Sequence, residues 1–373
     1  MFCKNCGNNI GENRFCSRCG TDSMRYAQTT PEPSKPETPP SNVASDFTGM
    51  VKHTFADITG GDNKQVEFKL KDLFSDVMVK HTREESDQLL VSGTSLHTPR
   101  PDKIGENWNH PWLYSRVFAI LGLTFFLLVT CTYAFDNPLW VPGLVFIGSL
   151  LMPFTLLVLF WETNIPRNIS IFELVKMFFV AGVLSLLITL TLFDILPQNN
   201  GSGVGEAILV GIVEEIGKLA VVAIFIYNRK SKYILNGILI GAAIGAGFAA
   251  FESAGYALVY GGNLDGILEI ILLRGFLAAG GHIVWAAMSG AAIMLAKGSG
   301  EFTSAIFGSG KFWKLFAVPV VLHSLWDIPE ICDSIPLLVL LTVIAWVFIL
   351  ALIRTGMAEI SRVTARAKQG IVQ

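Results

Sequence analysis

Long apolar stretches alternate with short polar segments over the last two thirds of the chain. Eight of them are near or above the ~20 residues that an α-helix needs to cross a bilayer. They lie at 116–135, 139–161, 172–196, 205–227, 234–260, 267–296, 312–328 and 334–354. The pattern predicts an all-α polytopic membrane protein with about eight transmembrane helices. The sixth stretch is long, and we expect its membrane-spanning part to begin near Gly275.

The segments between these stretches predict the orientation of the chain. Those after the first, third, fifth and seventh stretches carry no Lys or Arg, and Asp136, Asp265, Glu330 and Asp333 are their acidic residues. Basic residues occur after the second, fourth and sixth stretches and in the C-terminal tail, at Arg167, Arg229, Lys230, Lys232, Lys297, Lys311, Lys314, Arg362, Arg366 and Lys368. Because Lys and Arg concentrate in cytoplasmic loops, both termini are predicted to lie in the cytoplasm, with the chain in a bacterial-type cytoplasmic membrane.

The N-terminus carries two Cys-x-x-Cys pairs separated by nine residues, and each pair is followed by a glycine. The four cysteines are Cys3, Cys6, Cys16 and Cys19. Four thiolates with this spacing are typical of a structural Zn²⁺ site. We therefore predict a zinc ribbon over residues 1–26, with the metal needed for folding because the segment is too small for its own core.

Further domain boundaries follow from changes in composition. Residues 27–45 are rich in proline and polar side chains, which is typical of a disordered linker. Residues 46–110 have mixed polarity and predict a small cytosolic module of unknown role. Its apolar positions include five that would share one helical face: Leu70, Leu73, Phe74, Val77 and Met78. Residues 111–356 then form the eight-helix domain, and 357–373 a basic cytosolic tail.

Charge density changes sharply at about residue 110. The first 110 residues contain 28 charged side chains, whereas the remaining 263 contain 30, and the mean hydropathy of the whole chain is +0.51. A soluble domain has about a quarter charged residues, so this distribution excludes a single soluble globular fold. The formal net charge of −2 gives no basic excess, and no nucleic-acid partner is predicted.

Several ionisable residues remain inside the predicted spans, where each costs roughly 2.5–3.5 kcal/mol on insertion scales. The fourth span has Glu214, Glu215 and Lys218, and the spacing allows one carboxylate to pair with the ammonium. The others are Glu252 and Tyr256 in the fifth span, His282 in the sixth, and His323 with Asp327 in the seventh. All four spans place an acid or imidazole in the predicted outer half of the bilayer, which favours a shared site.

Two other features of these spans have simpler interpretations. Glycines recur at helical spacing in the fifth span, including Gly237, Gly241 and Gly245, and predict close helix packing. Lys176 and Arg274 lie near span ends, where long basic side chains are expected to extend toward the interface.

Histidines and glutamates in one membrane site fit two hydrolytic mechanisms. In the first, His282 and His323 bind Zn²⁺ with a glutamate, for which Glu215 and Glu252 are the candidates, and another glutamate is the general base. In the second, Glu214 or Glu215 activates water without a metal, and the histidines stabilise the oxyanion or protonate the leaving amine. The residue types alone favour neither mechanism.

Four motifs together resemble those of the PrsW family of intramembrane proteases. They are Glu-Glu-x-x-Lys at 214–218, Phe-Glu-x-x-x-Tyr at 251–256, the histidine at 282 and His-x-x-x-Asp at 323–327. The resemblance covers about residues 115–355. The family is similar in motif logic to the superfamily of CAAX-processing and bacteriocin-immunity proteases.

This resemblance implies hydrolysis of a membrane-anchored protein, with extracytoplasmic cleavage of an anti-sigma factor as the associated reaction. It implies a catalytic or metal-binding set of Glu214, Glu215, Glu252, His282 and His323, supported by Lys218, Tyr256 and Asp327. The implied partners are the lipid bilayer and the protein substrate. The family is usually classed as metalloproteases, whereas the related superfamily is argued to be glutamate-dependent.

Two other classes of function are compatible with the same residues. Glutamates and histidines inside a membrane also carry protons, as in a proton- or ion-coupled transporter. A non-catalytic membrane sensor with the zinc ribbon as its output is the other alternative.

Overall fold

A computed structural model describes residues 43–61, 69–104, 110–196 and 203–371. The chain divides into two compact units, 1–52 and 53–373. Residues 43–52, the described part of the first unit, are the beginning of a helix. Throughout the described residues the regular structure is helical and no strand occurs, as the sequence predicts. The predicted zinc ribbon lies outside the described residues.

Long apolar helices make up most of the second unit. In a bilayer such segments must satisfy their backbone hydrogen bonds internally, which is why they are helical. The long helices are α3 (Leu113–Phe135), α4 (Val141–Glu162), α6 (Gly182–Ile195), α7 (Val204–Arg229), α8 (Ile234–Tyr260), α9 (Leu264–Leu277), α10 (His282–Lys297), α11 (Gly310–Trp326) and α13 (Ile335–Lys368). The shorter ones are α1 (Val43–Thr59), α2 (Arg83–Leu90), α5 (Ile171–Lys176) and α12 (Pro329–Cys332).

Six helical segments within the described residues are long and apolar enough to cross a membrane. The other two predicted spans are also helices, but each departs from that criterion for a physical reason. Helix α7 carries three ionisable residues near its middle, and α11 is only 17 residues long. The eight predicted stretches therefore all correspond to helical structure, and α7 and α11 both carry predicted site residues.

Helix α8 lies at the centre of the bundle, and its residues 234–250 are all buried. Its glycines allow close packing against α10, as predicted. A Cβ atom added to Gly241 would lie 2.0 Å from the carbonyl oxygen of Ala286, and one added to Gly237 would lie 2.4 Å from that of Gly290. The two backbones therefore meet directly, which is the usual role of small residues in membrane helices.

The sixth apolar stretch is broken in two. Helix α9 ends at Leu277, a 3₁₀ turn covers Ala278–Gly280, and α10 begins at His282. The break lies a few residues beyond Gly275, the predicted start of the span. It places His282 at the first position of α10, inside the bundle.

One end of the bundle, which we call the site end, is formed by five helix termini. These are the beginnings of α7, α9 and α13 and the ends of α8 and α11. The side chain of Asn263 caps α9 there, accepting from the N–H of Gly266 at 2.9 Å. The opposite end carries the end of α7, the beginning of α8 and the end of α10.

The module before the membrane helices differs from its prediction. Only a 3₁₀ turn, Leu70–Leu73, forms where a helical face was expected, and Phe74 and Met78 are exposed. Carbonyl groups of this segment accept from side chains of α3 instead of from a helix of their own. Tyr114 donates to the carbonyl of Leu73 at 2.9 Å, and Arg116 donates to that of Val77 at 2.7 Å.

Two helices cross predicted domain boundaries. Helix α1 begins at Val43, inside the segment predicted as linker, and α13 continues to Lys368, through most of the predicted tail. Within the second unit, the end of α1 contacts the membrane helices. Asp57 pairs with Lys314 at 2.5 Å, and Thr355 donates to the carbonyl of Thr59 at 2.9 Å.

Candidate active site

A cavity of about 350 Å³ opens at the site end of the bundle. Helices α7, α8, α10 and α11 each contribute predicted site residues to its wall. Those residues are Glu214, Glu252, Tyr256, His282, His323 and Asp327. Four helices far apart in sequence thus bring six of the eight predicted membrane-site residues to one cavity; the other two, Glu215 and Lys218, lie just behind its wall.

Glu215 and Lys218 form a fully buried ion pair on α7. The ammonium Nζ lies 2.7 Å from Glu215 Oε1 and 3.6 Å from Glu214 Oε2. The predicted pairing of one carboxylate with the lysine is therefore present, and Glu215 is the closer partner. A buried ion pair costs desolvation free energy for both charges, so its retention needs further hydrogen bonds.

His323 supplies one of those bonds. Its Nδ1 lies 2.9 Å from Glu215 Oε1, and because a carboxylate only accepts, Nδ1 carries the hydrogen. The other ring nitrogen, Nε2, lies 3.5 Å from Glu214 Oε2 and 3.3 Å from Asp327 Oδ2. The ring stacks on Trp285 with centroids 4.4 Å apart. His323 is thus held from one side and presents Nε2 to the cavity.

His282 is held in the corresponding way by Glu252. Its Nε2 lies 2.9 Å from Glu252 Oε2. Its Nδ1 lies 2.8 Å from Lys218 Nζ and 3.8 Å from Glu214 Oε2. Since an ammonium only donates, Nδ1 accepts from Lys218, and Nε2 donates to Glu252.

Arg274 is a site residue that the sequence analysis missed, and the expectation that it extends to the interface is wrong. Its guanidinium forms an ion pair with Glu252, donates to Ser253 Oγ at 3.2 Å and lies 4.3 Å from the ring centroid of Tyr256. The end of α9 turns toward the cavity, so the side chain reaches inward. A signal was available, because a lone arginine on the predicted outer side runs against the positive-inside rule.

Tyr256, a predicted supporting residue, contacts Arg274. It shares a face of α8 with Glu252, but its ring lies against the Arg274 guanidinium in a cation–π contact. Its side chain is about half exposed. It therefore lies at the rim of the cavity, beside the ion pair of Arg274 and Glu252.

Some buried polar atoms at this site have no hydrogen-bond partner among the described residues. Two belong to carboxylates that line the cavity, Glu214 Oε2 and Asp327 Oδ2, and one is the indole N–H of Trp285. An unpaired buried polar group costs about 1–3 kcal/mol. Such a concentration within one cavity marks a place where a ligand or substrate would supply the missing partners.

The donors around Glu214 fit a metal ion. One atom each of Glu214, His282 and His323 lies within 4.8 Å of the others. Two histidines and one glutamate are a known ligand set of catalytic Zn²⁺. Each histidine is also held through its second nitrogen by a glutamate, which is how metal-binding histidines are usually oriented.

The glutamate in this group of possible metal ligands is Glu214, whereas the predicted glutamate ligands were Glu215 and Glu252. Glu215 and Glu252 each accept from one ring nitrogen of a histidine and pair with a basic side chain, whereas Glu214 faces both imidazoles. Lys218 donates to His282 Nδ1, and this hydrogen bond would have to break for His282 to bind a metal through that nitrogen.

Comparison with known proteins gives one match. A family model described as "PrsW family intramembrane metalloprotease" matches residues 167–353, half of the chain. The match extends from the segment before α5 into α13 and contains every helix that contributes to the cavity. No curated protein and no solved structure matches the chain.

Proposed function

On the premise that this chain belongs to the PrsW family of intramembrane metalloproteases, we propose that it cleaves a membrane-anchored protein, with Glu214, His282 and His323 as its active-site residues. The observation that carries this proposal is the convergence of these three side chains from three helices, within 4.8 Å, in one cavity of a membrane bundle. A peptidase needs a polarised carbonyl, a water molecule and a proton acceptor at one place. The cavity has residues for each requirement.

Glu214, His282 and His323 would hold a divalent cation, with Zn²⁺ as the ion that their chemistry favours. When bound, such an ion polarises the peptide carbonyl and makes water more acidic. The orphaned oxygen of Glu214 supports this assignment, because a cation would satisfy a buried acceptor that has no hydrogen-bond donor among the described residues.

The surrounding residues orient this set. Glu215 fixes the tautomer and ring plane of His323, and Glu252 does the same for His282. Lys218 pairs with Glu215 and Arg274 pairs with Glu252, which holds the two carboxylates in place. Asp327, whose Oδ2 lies 3.3 Å from His323 Nε2, then accepts the proton from the attacking water as the C–O bond forms and returns it to the leaving amine as the C–N bond breaks.

The cleaved bond lies in the outer half of the membrane in this proposal. Glu214 is ten residues from the beginning of α7, or about 15 Å along the helix. The positive-inside rule makes that beginning extracytoplasmic and leaves both termini in the cytoplasm. A regulatory substrate such as an anti-sigma factor, anchored by one transmembrane segment, fits this depth. The four N-terminal cysteines bind a structural Zn²⁺ on the cytoplasmic side.

New N-termini in membrane proteins provide the first test. Membranes from cells that produce the wild-type chain, Glu214→Gln or Glu173→Gln are compared by quantitative mass spectrometry. Glu173 is the matched control, because it pairs with Arg229 at the opposite end of the bundle. We expect one or a few new N-termini with the wild type and the control, and none with Glu214→Gln. Cleavage that persists in Glu214→Gln would overturn the proposal.

Metal content tests the second part. The four ribbon cysteines are replaced by serine, and metal per chain is measured in the purified full-length protein. We expect about one bound ion, which is lost in Glu214→Gln or His323→Ala. A metal-free chain that still cleaves its substrate would contradict the metal assignment and support a glutamate mechanism.

A further inference from the structure

A groove of about 540 Å³ lies between α9 and α13, beside the cavity. Its walls are apolar on both sides. Leu272, Leu273 and Leu277 line it from α9, and Ile335, Val339 and Val343 line it from α13. The volume is in the range of sites that bind ligands.

The α13 side of the groove is a continuous, half-exposed apolar face. Its three residues are spaced by four, so they lie on one side of the helix over more than two turns. Each of them is about half exposed, at 50% for Ile335, 49% for Val339 and 54% for Val343. This spacing suits a second helix packed lengthwise against α13.

The groove adjoins the cavity. Leu273 and Leu277 line both spaces, and Leu338, next to Val339 in sequence, lines the cavity. A chain segment lying in the groove would therefore lie next to the cavity, with the side chains of Leu273 and Leu277 shared between the two spaces.

The end of the groove away from the site end is closed. A Cβ atom added to Gly280 would lie 2.1 Å from Thr342 Oγ1, so the turn after α9 touches α13 directly. Trp346 donates to the carbonyl of Ala279 at 2.7 Å just beyond. Since this turn immediately precedes His282, the groove ends at the level of the candidate active site.

The open end of the groove is acidic. Glu269 lines the groove, Asp265 lies one turn earlier on α9, and Glu330 and Asp333 precede α13. All four are exposed. Residues 264–273 and 329–343 contain no Lys or Arg. A basic residue on an occupant would find an opposite charge there.

We infer that this groove receives the outer part of the substrate's transmembrane helix, with a Lys or Arg that flanks the helix placed near Glu269. The inference rests on the proposed function and adds where the substrate docks and what chemistry it carries. A lipid tail would also cover apolar side chains, but it offers no cation to Glu269 and no peptide to the cavity.

Filling the groove tests this inference. Val339→Trp and Val343→Trp place a large ring in it, and Leu337→Trp is the matched control, because Leu337 is exposed on another face of α13. Each full-length variant is reconstituted in vesicles with the protein whose new N-terminus depends on Glu214. The same variants are assayed on a short soluble peptide that spans the cleavage site and lacks the part of the transmembrane helix expected to lie in the groove.

We expect the groove variants to raise KM for the full-length substrate roughly tenfold or more, with the control close to wild type. Kinetics on the soluble peptide should be unchanged in all three. Glu269→Gln should raise KM roughly two- to fivefold, as loss of an exposed ion pair does, and only for a substrate with its flanking basic residue.

A photo-crosslinking residue at position 343 or 337 of the Glu214→Gln chain provides a measurement independent of turnover. The substrate should crosslink at position 343 and much less at 337. Equal crosslinking, or an unchanged KM in folded groove variants, would overturn the docking inference while cleavage by the wild type leaves the proposed function intact. If the wild type cleaves nothing, both proposals fail.

Discussion

The two ends of the bundle both bury polar side chains, but among the described residues only the site end leaves buried carboxylate oxygens without a hydrogen-bond partner. At the end opposite the site, three asparagines form a compact network. Asn236 donates to Asn164 at 3.0 Å and to Asn168 at 2.7 Å, and Asn168 donates back to Asn236 at 3.0 Å. These groups are neutral and largely satisfied, which is what a polar network needs in order to stabilise a fold.

In the described part of the chain, the buried groups without a partner at the site end include carboxylates, whereas at the opposite end they are the neutral hydroxyls of Ser231 and Thr364. Among the described residues, Glu214 Oε2 and Asp327 Oδ2 have no hydrogen-bond donor although they are buried. Neighbouring cations lower the cost of these charges without removing it. The comparison teaches that a polar residue in a membrane helix indicates chemistry when its network is incomplete and borders a cavity.

The largest expected effect is that of removing the Glu214 charge at the site end. Glu214→Gln keeps the shape of the side chain but removes its charge, so we expect cleavage to fall about 10³-fold or more with the thermal midpoint nearly unchanged. A rate assay in vesicles and a thermal scan measure the two quantities. A variant that loses activity only because it unfolds would show a large drop in the thermal midpoint.

Arg274→Gln removes the ion pair that holds Glu252 beside His282. Without the guanidinium, Glu252 holds His282 less firmly, and loss of such outer contacts usually costs 10–100-fold in activity or metal affinity. We expect a decrease of that size in both cleavage and metal affinity, measured by competition with a chelator. Arg274→Lys keeps the charge and should retain part of both.

Arg229→Gln is the control for that experiment, because Arg229 makes the corresponding ion pair with Glu173 at the opposite end. It should leave metal affinity unchanged. Equal losses in the two variants would mean that Arg274 has only a structural role.

Asn236→Ala tests the opposite end. It removes the centre of the amide network and leaves buried partners unsatisfied, so we expect a loss of about 1–3 kcal/mol of stability. Cleavage per folded molecule should not change. Unfolding in denaturant and the rate at saturating substrate measure the two effects, and a selective loss of catalysis would contradict the division between the ends.

The smallest expected effect concerns the attachment of α1. The Lys314 ammonium beside Asp57, with weaker contributions from His53 and Lys311, holds the pKa of that carboxyl below its usual range. A carboxyl with a lowered pKa stabilises the folded contact above about pH 4 and loses that contribution as the pH falls further. Hydrogen exchange of residues 53–61 should therefore increase below about pH 4. Asp57→Asn should remove this dependence.

The sequence was most informative where insertion into a membrane constrains residue choice. An ionisable residue in a span is expensive, so Glu214, Glu252, His282 and His323 stood out individually, and equal depth linked them before any fold was known. Helical spacing also predicted the pairing within α7, because residues three and four apart always face each other. These inferences depend on helical spacing and on the cost of placing a charge in the membrane, and both follow directly from the sequence.

Contacts that depend on tertiary geometry were less accessible. Arg274 lies near a span end, and only the short length of α9 and the turn at Ala278–Gly280 bring it to Glu252. Likewise, sequence could not divide the glutamates into Glu214, which faces the cavity, and Glu215, which lies behind His323. That division depends on the orientation of α7 and α11 about their own axes where they pack together. Hydrophobic periodicity does not predict this orientation.

The membrane-external segment was predicted least well. The apolar residues from Leu70 to Met78 have helical spacing, yet their carbonyls bind side chains of α3, and the chain turns instead. Tertiary hydrogen bonds override a weak local preference in such a short segment. The zinc ribbon and the domain boundaries remain predictions.

Hydrolysis in water labelled with heavy oxygen tests the central claim most directly. Purified wild-type chain and Glu214→Gln are each incubated in vesicles with the membrane-anchored substrate, and the products are weighed by mass spectrometry. The account predicts a new C-terminal carboxylate that carries the heavy oxygen with the wild type and with Asn236→Ala, and no product with Glu214→Gln. Labelled product from Glu214→Gln at the wild-type rate would contradict it.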